Sequence, residues 1–410
     1  MKRLVAVSVI MILLLTSCTF NIGSNDPEAK NWELIVKSAE KSMVTIAIEH
    51  TNPLVSEWFK GDYSKYMKAN YDIDVTIIEQ SILKTMDKLV GDKAGEVTFG
   101  DIDIILIENE GFKNAYNRGL LYGPFSDKLP NVKQNLDMRS LNMTSREGIK
   151  TNGYSVPYSR SQLSFIYNQD VFYETPTNFS DLIQLIKQNK NRFTYPDPRV
   201  TKEGEAFIFS ILSEYIDFED FLLENFDRVA FGEAITPGID RLIELKPYLF
   251  ENGTKYPQTI RALDDLFING ALMMSLSMQY NYVTDKLREY EYPENASTFI
   301  IPTGVATYDE IAAIAFNSPN KSGAMVALDA LLSPAMQASK YNPRVWGSLP
   351  VYDAGVVPST SLEGFTAMRL RSTTVGFNAF MNAVMPQFSP EMRAVVLERW
   401  EKDVLSSTDE

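Results

Sequence analysis

The chain has 410 residues but one cysteine and one histidine. A single cysteine excludes an internal disulfide framework. One histidine with no second thiol excludes the usual zinc sets. Hydrolases of the cysteine or serine type need a nucleophile beside a base. The only histidine here is His50, and the nucleophile-elbow pattern GxSxG does not occur. There is no low-complexity tract and no repeat period. Cationic residues are few: 39 Lys and Arg stand against 53 Asp and Glu, a formal charge of −14. That balance argues against nucleic acid and against adhesion to anionic lipid. It keeps an exported protein soluble and is compatible with a cationic ligand. No apolar run reaches the roughly 20 residues that a spanning helix needs.

The lone cysteine is informative by its position. Lys2 and Arg3 precede an apolar run, Val5 to Leu15, then Thr16, Ser17 and Cys18. A basic start, a short apolar core and small residues before a cut are the parts of a secretory signal. The end, LTSC, resembles a bacterial lipobox. Residues 1–17 therefore read as a lipoprotein signal peptide, Cys18 as the lipidation site, and 18–30 as a polar tether. The mature chain, with a charge of about −16 once Lys2 and Arg3 are gone, is expected at the cell surface or in the periplasm, held to the membrane by its acyl chains.

About 390 residues are too many for one ordinary core and predict two domains or two lobes. From Met43 onward the pattern alternates. Strand-like Val44 to Ile48, Ile73 to Gln80 and Asp101 to Phe112 are separated by helical stretches. This is the signature of a parallel sheet with crossover helices. In such α/β sheets ligands sit beyond the carboxyl ends of the strands, which points to Glu49, His50, Thr51 and Asn52, and to Glu108, Asn109 and Glu110. The pattern changes near Arg160 and returns near Gly304. A first lobe is therefore expected over 31–160 plus 305–354, a second over 161–304, and a C-terminal helical segment over 355–410 that fits either lobe. A hinge and cleft follow from the two crossings.

Several stretches carry a family resemblance: LLYGPFSDKLPN (Leu120 to Asn131), RFTYPDP (Arg192 to Pro198), LFINGALMMSLSMQYN (Leu266 to Asn281), AFNSPNKSGAMVALDALLSPAMQ (Ala315 to Gln337) and NPRVWG (Asn342 to Gly347). Together, and in this order, they resemble the YnjB-like extracellular solute-binding proteins of ABC transporters. The resemblance implies a two-lobed α/β fold of the type II periplasmic-binding class. It implies a monomer that captures a small-molecule ligand and delivers it to an ABC permease. Three stretches depart from the family pattern: IEHTN (Ile48 to Asn52), ENEG (Glu108 to Gly111) and EGEAF (Glu203 to Phe207). All three fall where a ligand sits.

Carboxylates and aromatic rings gather at the inferred cleft. Glu49, Glu110 and Asp309 supply charge, and Tyr158, Gln279 and Tyr280 supply rings and an amide. Such walls suit an organic cation, so a polyamine or thiamine-like solute is the first expectation. Arg160 reads equally as a ligand contact or as a hinge ion pair. Ferric iron held by His50, Glu110 and Tyr280 is the runner-up, although Asn281 separates Tyr280 from Tyr282 where ferric binders carry adjacent tyrosines. No resident metal, no cofactor and no nucleic acid are expected. An extracellular enzyme, or a surface lipoprotein with a protein partner, are the remaining classes.

Overall fold

The computed structural model describes residues 27, 30–49, 52–107, 110–217, 220–221, 226–368 and 370–407. Cys18, His50, Thr51, Glu108 and Asn109 lie outside the described residues. Twelve strands follow in chain order: β1 (Met43–Ile48), β2 (Asp74–Glu79), β3 (Ile104–Ile107), β4 (Leu121–Tyr122), β5 (Ser145–Arg146), β6 (Ile149–Lys150), β7 (Val156–Gln162), β8 (Ser164–Asn168), β9 (Met274–Ser277), β10 (Ala296–Phe299), β11 (Val305–Ala315) and β12 (Val384–Met385).

The main sheet has the order β12-β11-β3-β1-β2, with β4 and β7 also paired to β11. β1 runs parallel to both β2 and β3, while β11 is antiparallel to β3. Helices pack on this sheet, and all four residues of β3 are buried. The apolar run IILI is the pattern of a strand covered on both sides. β3 is shorter than the stretch Asp101 to Phe112 predicts, and buried Asp103 just before it keeps backbone hydrogen bonds to Thr45 and Ala315 at 2.9 Å each while its side chain ties the strand to its surroundings. Its carboxylate accepts from the Thr45 amide at 2.9 Å, the Ser318 hydroxyl at 2.6 Å and the Asn320 amide at 3.0 Å. A second, antiparallel sheet of order β10-β8-β9 forms the other lobe. Strand-like FTY, Phe193 to Tyr195, joins neither sheet. Pro196 and Pro198 beside it lack the amide donors a ladder needs.

β7 leads directly into β8, and β10 returns the chain into β11. β7 and β11 pair antiparallel, with a register shift between Glu310 and Ile311. The crossing is thus two hydrogen-bonded strands side by side. The C-terminal segment serves both sheets. β12 adds an edge to β11, and the helix Pro390–Arg399 packs on the helix Arg228–Ala234. Beyond it the turn Trp400–Leu405 lies on the helix Thr236–Leu245. Trp400 is fully buried there and donates to the Tyr195 hydroxyl at 2.9 Å.

The helix Lys202–Leu212 is fixed by a backbone contact. Thr201 caps it by accepting from the Gly204 amide at 3.2 Å. A Cβ added to Gly204 would stand 2.0 Å from the Pro196 carbonyl oxygen. Gly204→Ala is therefore expected to cost about 1–3 kcal/mol as the helix is pushed away. Urea unfolding checks this, and an unchanged midpoint would show that the contact relaxes freely.

Candidate ligand-binding site

Beyond the carboxyl end of β3 a cavity of about 420 Å³ opens between the main sheet, the helix Lys202–Leu212 and the C-terminal segment. Its charged lining comes from four places. Glu110 follows β3. Arg146 and Glu147 lie at the tip of the β5–β6 hairpin. Asp309 and Tyr308 come from β11, and Lys202, Glu205 and Arg393 from helices.

Each charge has a definite setting. The hairpin tip places Glu147 at φ 49° and Gly148 at φ 77°, a conformation that a glutamate adopts only when held. Here it is held by the helix Phe112–Asn117. The Glu147 carboxylate accepts from the amides of Gly111 at 2.8 Å, Phe112 at 2.9 Å and Lys113 at 3.1 Å. The carboxylate thus takes the place at this helix start where an anionic ligand would otherwise sit. Glu49 does the same at the helix Ile82–Ala94, accepting from the Ile82 amide.

Asp309 pairs with Arg160 in a two-pronged contact, 2.6 Å to Nε and 2.8 Å to Nη2, with both side chains nearly fully buried. Buried Glu205 accepts from the Tyr308 hydroxyl at 2.9 Å and from Arg393 Nε. Burial raises its pKa, and the attraction of Arg393 with the Tyr308 hydrogen bond offsets only part of that. Arg393 Nη1 also reaches Glu110 at 3.4 Å, so one guanidinium links a carboxylate from the end of β3 with one from the helix Lys202–Leu212. Arg146 is buried and donates to the Gln387 side chain at 2.6 Å. Burial lowers its pKa, countered by Glu147, Asp309 and Glu310. Lys202 is exposed on the cavity wall and attracts Glu203 and Glu205 without forming a close ion pair with either.

Of the residues singled out from sequence, Glu110 and Asp309 line this cavity, and Arg160 stands behind Asp309 as its partner. The others among the described residues lie elsewhere. Tyr158 is wholly buried, 6.2 Å from the Trp346 ring and 6.5 Å from Phe59. Tyr280 stacks on Tyr341 at 4.6 Å, and its hydroxyl donates to the Tyr341 carbonyl. Both rings are core because other aromatic side chains pack on them, Phe59 and Trp346 on Tyr158, Tyr341 and Phe380 on Tyr280. Burial also raises the Tyr280 pKa, which opposes the phenolate that ferric iron requires. Asn52 caps the helix Pro53–Trp58 by accepting from the Leu54 amide at 3.0 Å, and Gln279 is exposed but lines no part of the cavity. Among the described residues, no three of His, Cys, Asp and Glu come together as a metal-holding group. Sequence reasoning missed Arg146, Glu147, Tyr308, Phe388 and Arg393. Only the charged turn SREG, Ser145 to Gly148, offered a signal.

Two lobes joined by paired crossing strands, with a polar cavity beside the crossing, define a type II periplasmic solute-binding fold. The chain belongs to the bacterial extracellular solute-binding protein family, whose model matches residues 63–356. It is 27% identical over 309 residues to Protein YnjB of Escherichia coli (strain K12), covering 75% of this chain and 78% of that one. A Bordetella parapertussis structure described as an extracellular solute-binding protein aligns with a TM-score of 0.64 at 11% identity, over 88% of this chain and 98% of the other. The open conformation of ferric iron-binding protein A from Mannheimia haemolytica aligns with a TM-score of 0.58 at 15% identity, over 90% and 100%. At such identities the two structures bear on the fold alone. The protein is a solute-binding component of an ABC transporter, acting outside the cytoplasm on a small ligand and a permease. Members of this family bind solutes and do not convert them, which sets the enzyme reading aside. No helix among the described residues is long and apolar enough to cross a membrane.

Proposed function

We propose that the solute is captured in the cavity beside β3 and β11, and that it carries a cationic and an anionic group together. The observation that carries this reading is the mixed lining: Arg146, Lys202 and Arg393 share the wall with Glu110, Glu147, Glu205 and Asp309. A solute of one sign would meet several like charges at short range, each worth on the order of 1–4 kcal/mol depending on how much water is excluded. A solute bearing both signs finds Lys202 for its anionic end and Glu110 for its cationic end. The lobes, expected over 31–160 plus 305–354 and over 161–304, hinge at the crossing and close on it.

A purely cationic solute, polyamine or thiamine-like, is the second reading. It is favoured by the formal charge of −14 and by the two helix starts that the chain's own carboxylates occupy. A thermal-shift panel of amino acids, betaines, polyamines, thiamine derivatives, oxyanions and ferric salts separates these. A ligand at a hundredfold excess over its dissociation constant should add about 2.7 kcal/mol. The mixed-charge reading fails if polyamines or oxyanions stabilise while every zwitterion is silent. For the ligand that acts, Lys202→Ala and Glu110→Gln should each weaken binding about tenfold or more, close to 1.4 kcal/mol; titration calorimetry reads this.

The same reading places the mature protein on the membrane as a monomer, tethered by acyl chains at Cys18. Cys18→Ser should move it from the membrane fraction to the soluble one. Persistence in the membrane fraction after a high-salt wash would overturn the anchor.

A further inference from the structure

A second cavity, of about 400 Å³, shares no residue with the first. It lies where the helix Tyr282–Arg288 meets the loop at Asn342–Arg344 and the C-terminal segment near Arg371. Three arginines line it, Arg288, Arg344 and Arg371, and no carboxylate does. That is unexpected in a chain whose acids outnumber its bases by 53 to 39. Arg288 pairs with Asp285 at 3.0 Å, whereas Arg344 and Arg371 have no carboxylate partner among the described residues. Asp285 and Glu289 line an adjoining hollow that Arg288 and Arg344 also border, which leaves Arg371 as the arginine that faces this cavity alone. The wall also holds almost fully buried Asn281 and Thr284, each 5% exposed, which are already hydrogen-bonded to Asp285 and Thr374 and so form a fixed floor beneath the arginines. Like charges gathered in one concave site repel unless an anion joins them, and planar guanidinium forks match oxyanions two bonds at a time.

We infer that this cavity is a second binding site, for an oxyanion group of the phosphate or sulfate type. The volume exceeds that of the bare ion, so the group can also be carried on a small organic body. The site is independent of the solute cavity, and its failure would leave that reading standing.

Titration calorimetry of the full chain with inorganic phosphate, sulfate and glycerol phosphate, at constant ionic strength, tests it. Saturable binding with a dissociation constant below about 1 mM is expected. Arg344→Gln and Arg371→Gln should each weaken it at least tenfold, the double variant should abolish it, and Arg344→Lys should retain part of it. Both arginines are exposed, so the variants should melt at the wild-type temperature. Tighter binding of glycerol phosphate than of inorganic phosphate would identify an oxyanion carried on a larger solute; equal binding would identify the free ion. The inference is overturned if the wild-type protein binds none of the three, if binding survives in the double variant, or if Lys202→Gln in the first cavity removes it instead.

Discussion

Asp309→Asn is expected to lower the unfolding free energy by about 3–5 kcal/mol, the cost of leaving one member of a buried ion pair without its partner. The Arg160 side chain is 2% exposed and that of Asp309 5%. Arg160 Nη1 already lacks a hydrogen-bond partner, so Asp309 is what compensates the guanidinium. The pair also joins β7 to β11 at a register where Asp309 faces Arg160 directly. Its loss therefore acts on the crossing itself. Replacing both residues, Arg160→Met with Asp309→Leu, should recover most of the stability, because well-packed apolar residues can substitute for a buried pair. Urea unfolding at neutral pH measures all three proteins. A loss below about 1 kcal/mol in Asp309→Asn would show that water reaches the guanidinium.

Stability should also rise as the solution is made alkaline, and Lys340 is the reason. Its side chain is wholly buried. The ammonium donates to the Leu349 carbonyl at 2.8 Å and the Ser348 hydroxyl at 3.0 Å, and sits 5.6 Å from the Trp346 ring. Burial brings its pKa down to about 7, with Glu310 and Asp309 raising it and Arg160 lowering it further. The folded value lies below the unfolded one of about 10.4. Between those values the unfolded chain holds the proton more often than the folded one, so stability increases with pH. From pH 7 to pH 9 the gain from this group is roughly 2 kcal/mol. Below about pH 6 both states are protonated and the contribution is flat. Lys340→Met should remove the slope while leaving the fold intact. Chemical denaturation at pH 6, 7, 8 and 9 checks this; equal slopes in the two proteins would refute it.

The first half of the main sheet was legible because β-branched and apolar runs mark strands; β1 and β2 stand where their runs predict, and β3, buried at all four residues, occupies the middle of its longer run. The cavity was harder to read, for three physical reasons. An aromatic residue on or just after a buried strand looks the same whether it faces a ligand or the core, and Tyr158 and Tyr280 are core. A carboxylate after a strand has two uses, and Glu49 caps a helix while Glu110 reaches the cavity. The remaining wall comes from far along the chain. Arg393 meets Glu205 from 188 positions away, and no local spacing announces such a meeting. Arg160 and Asp309 were both singled out by position beside the crossing, but only the geometry shows that each is the other's partner.

The topology of the main sheet has a consequence for how this protein is made. β3 is flanked on one side by β1 and on the other by β11, with Ile107 opposite Ile311. The strand that completes the sheet thus arrives only after the whole second lobe has been synthesised. Contacts of such long sequence separation form slowly. This placement of β11 makes closure of the central sheet a late step, one that waits for residues on both sides of the second sheet to be in place.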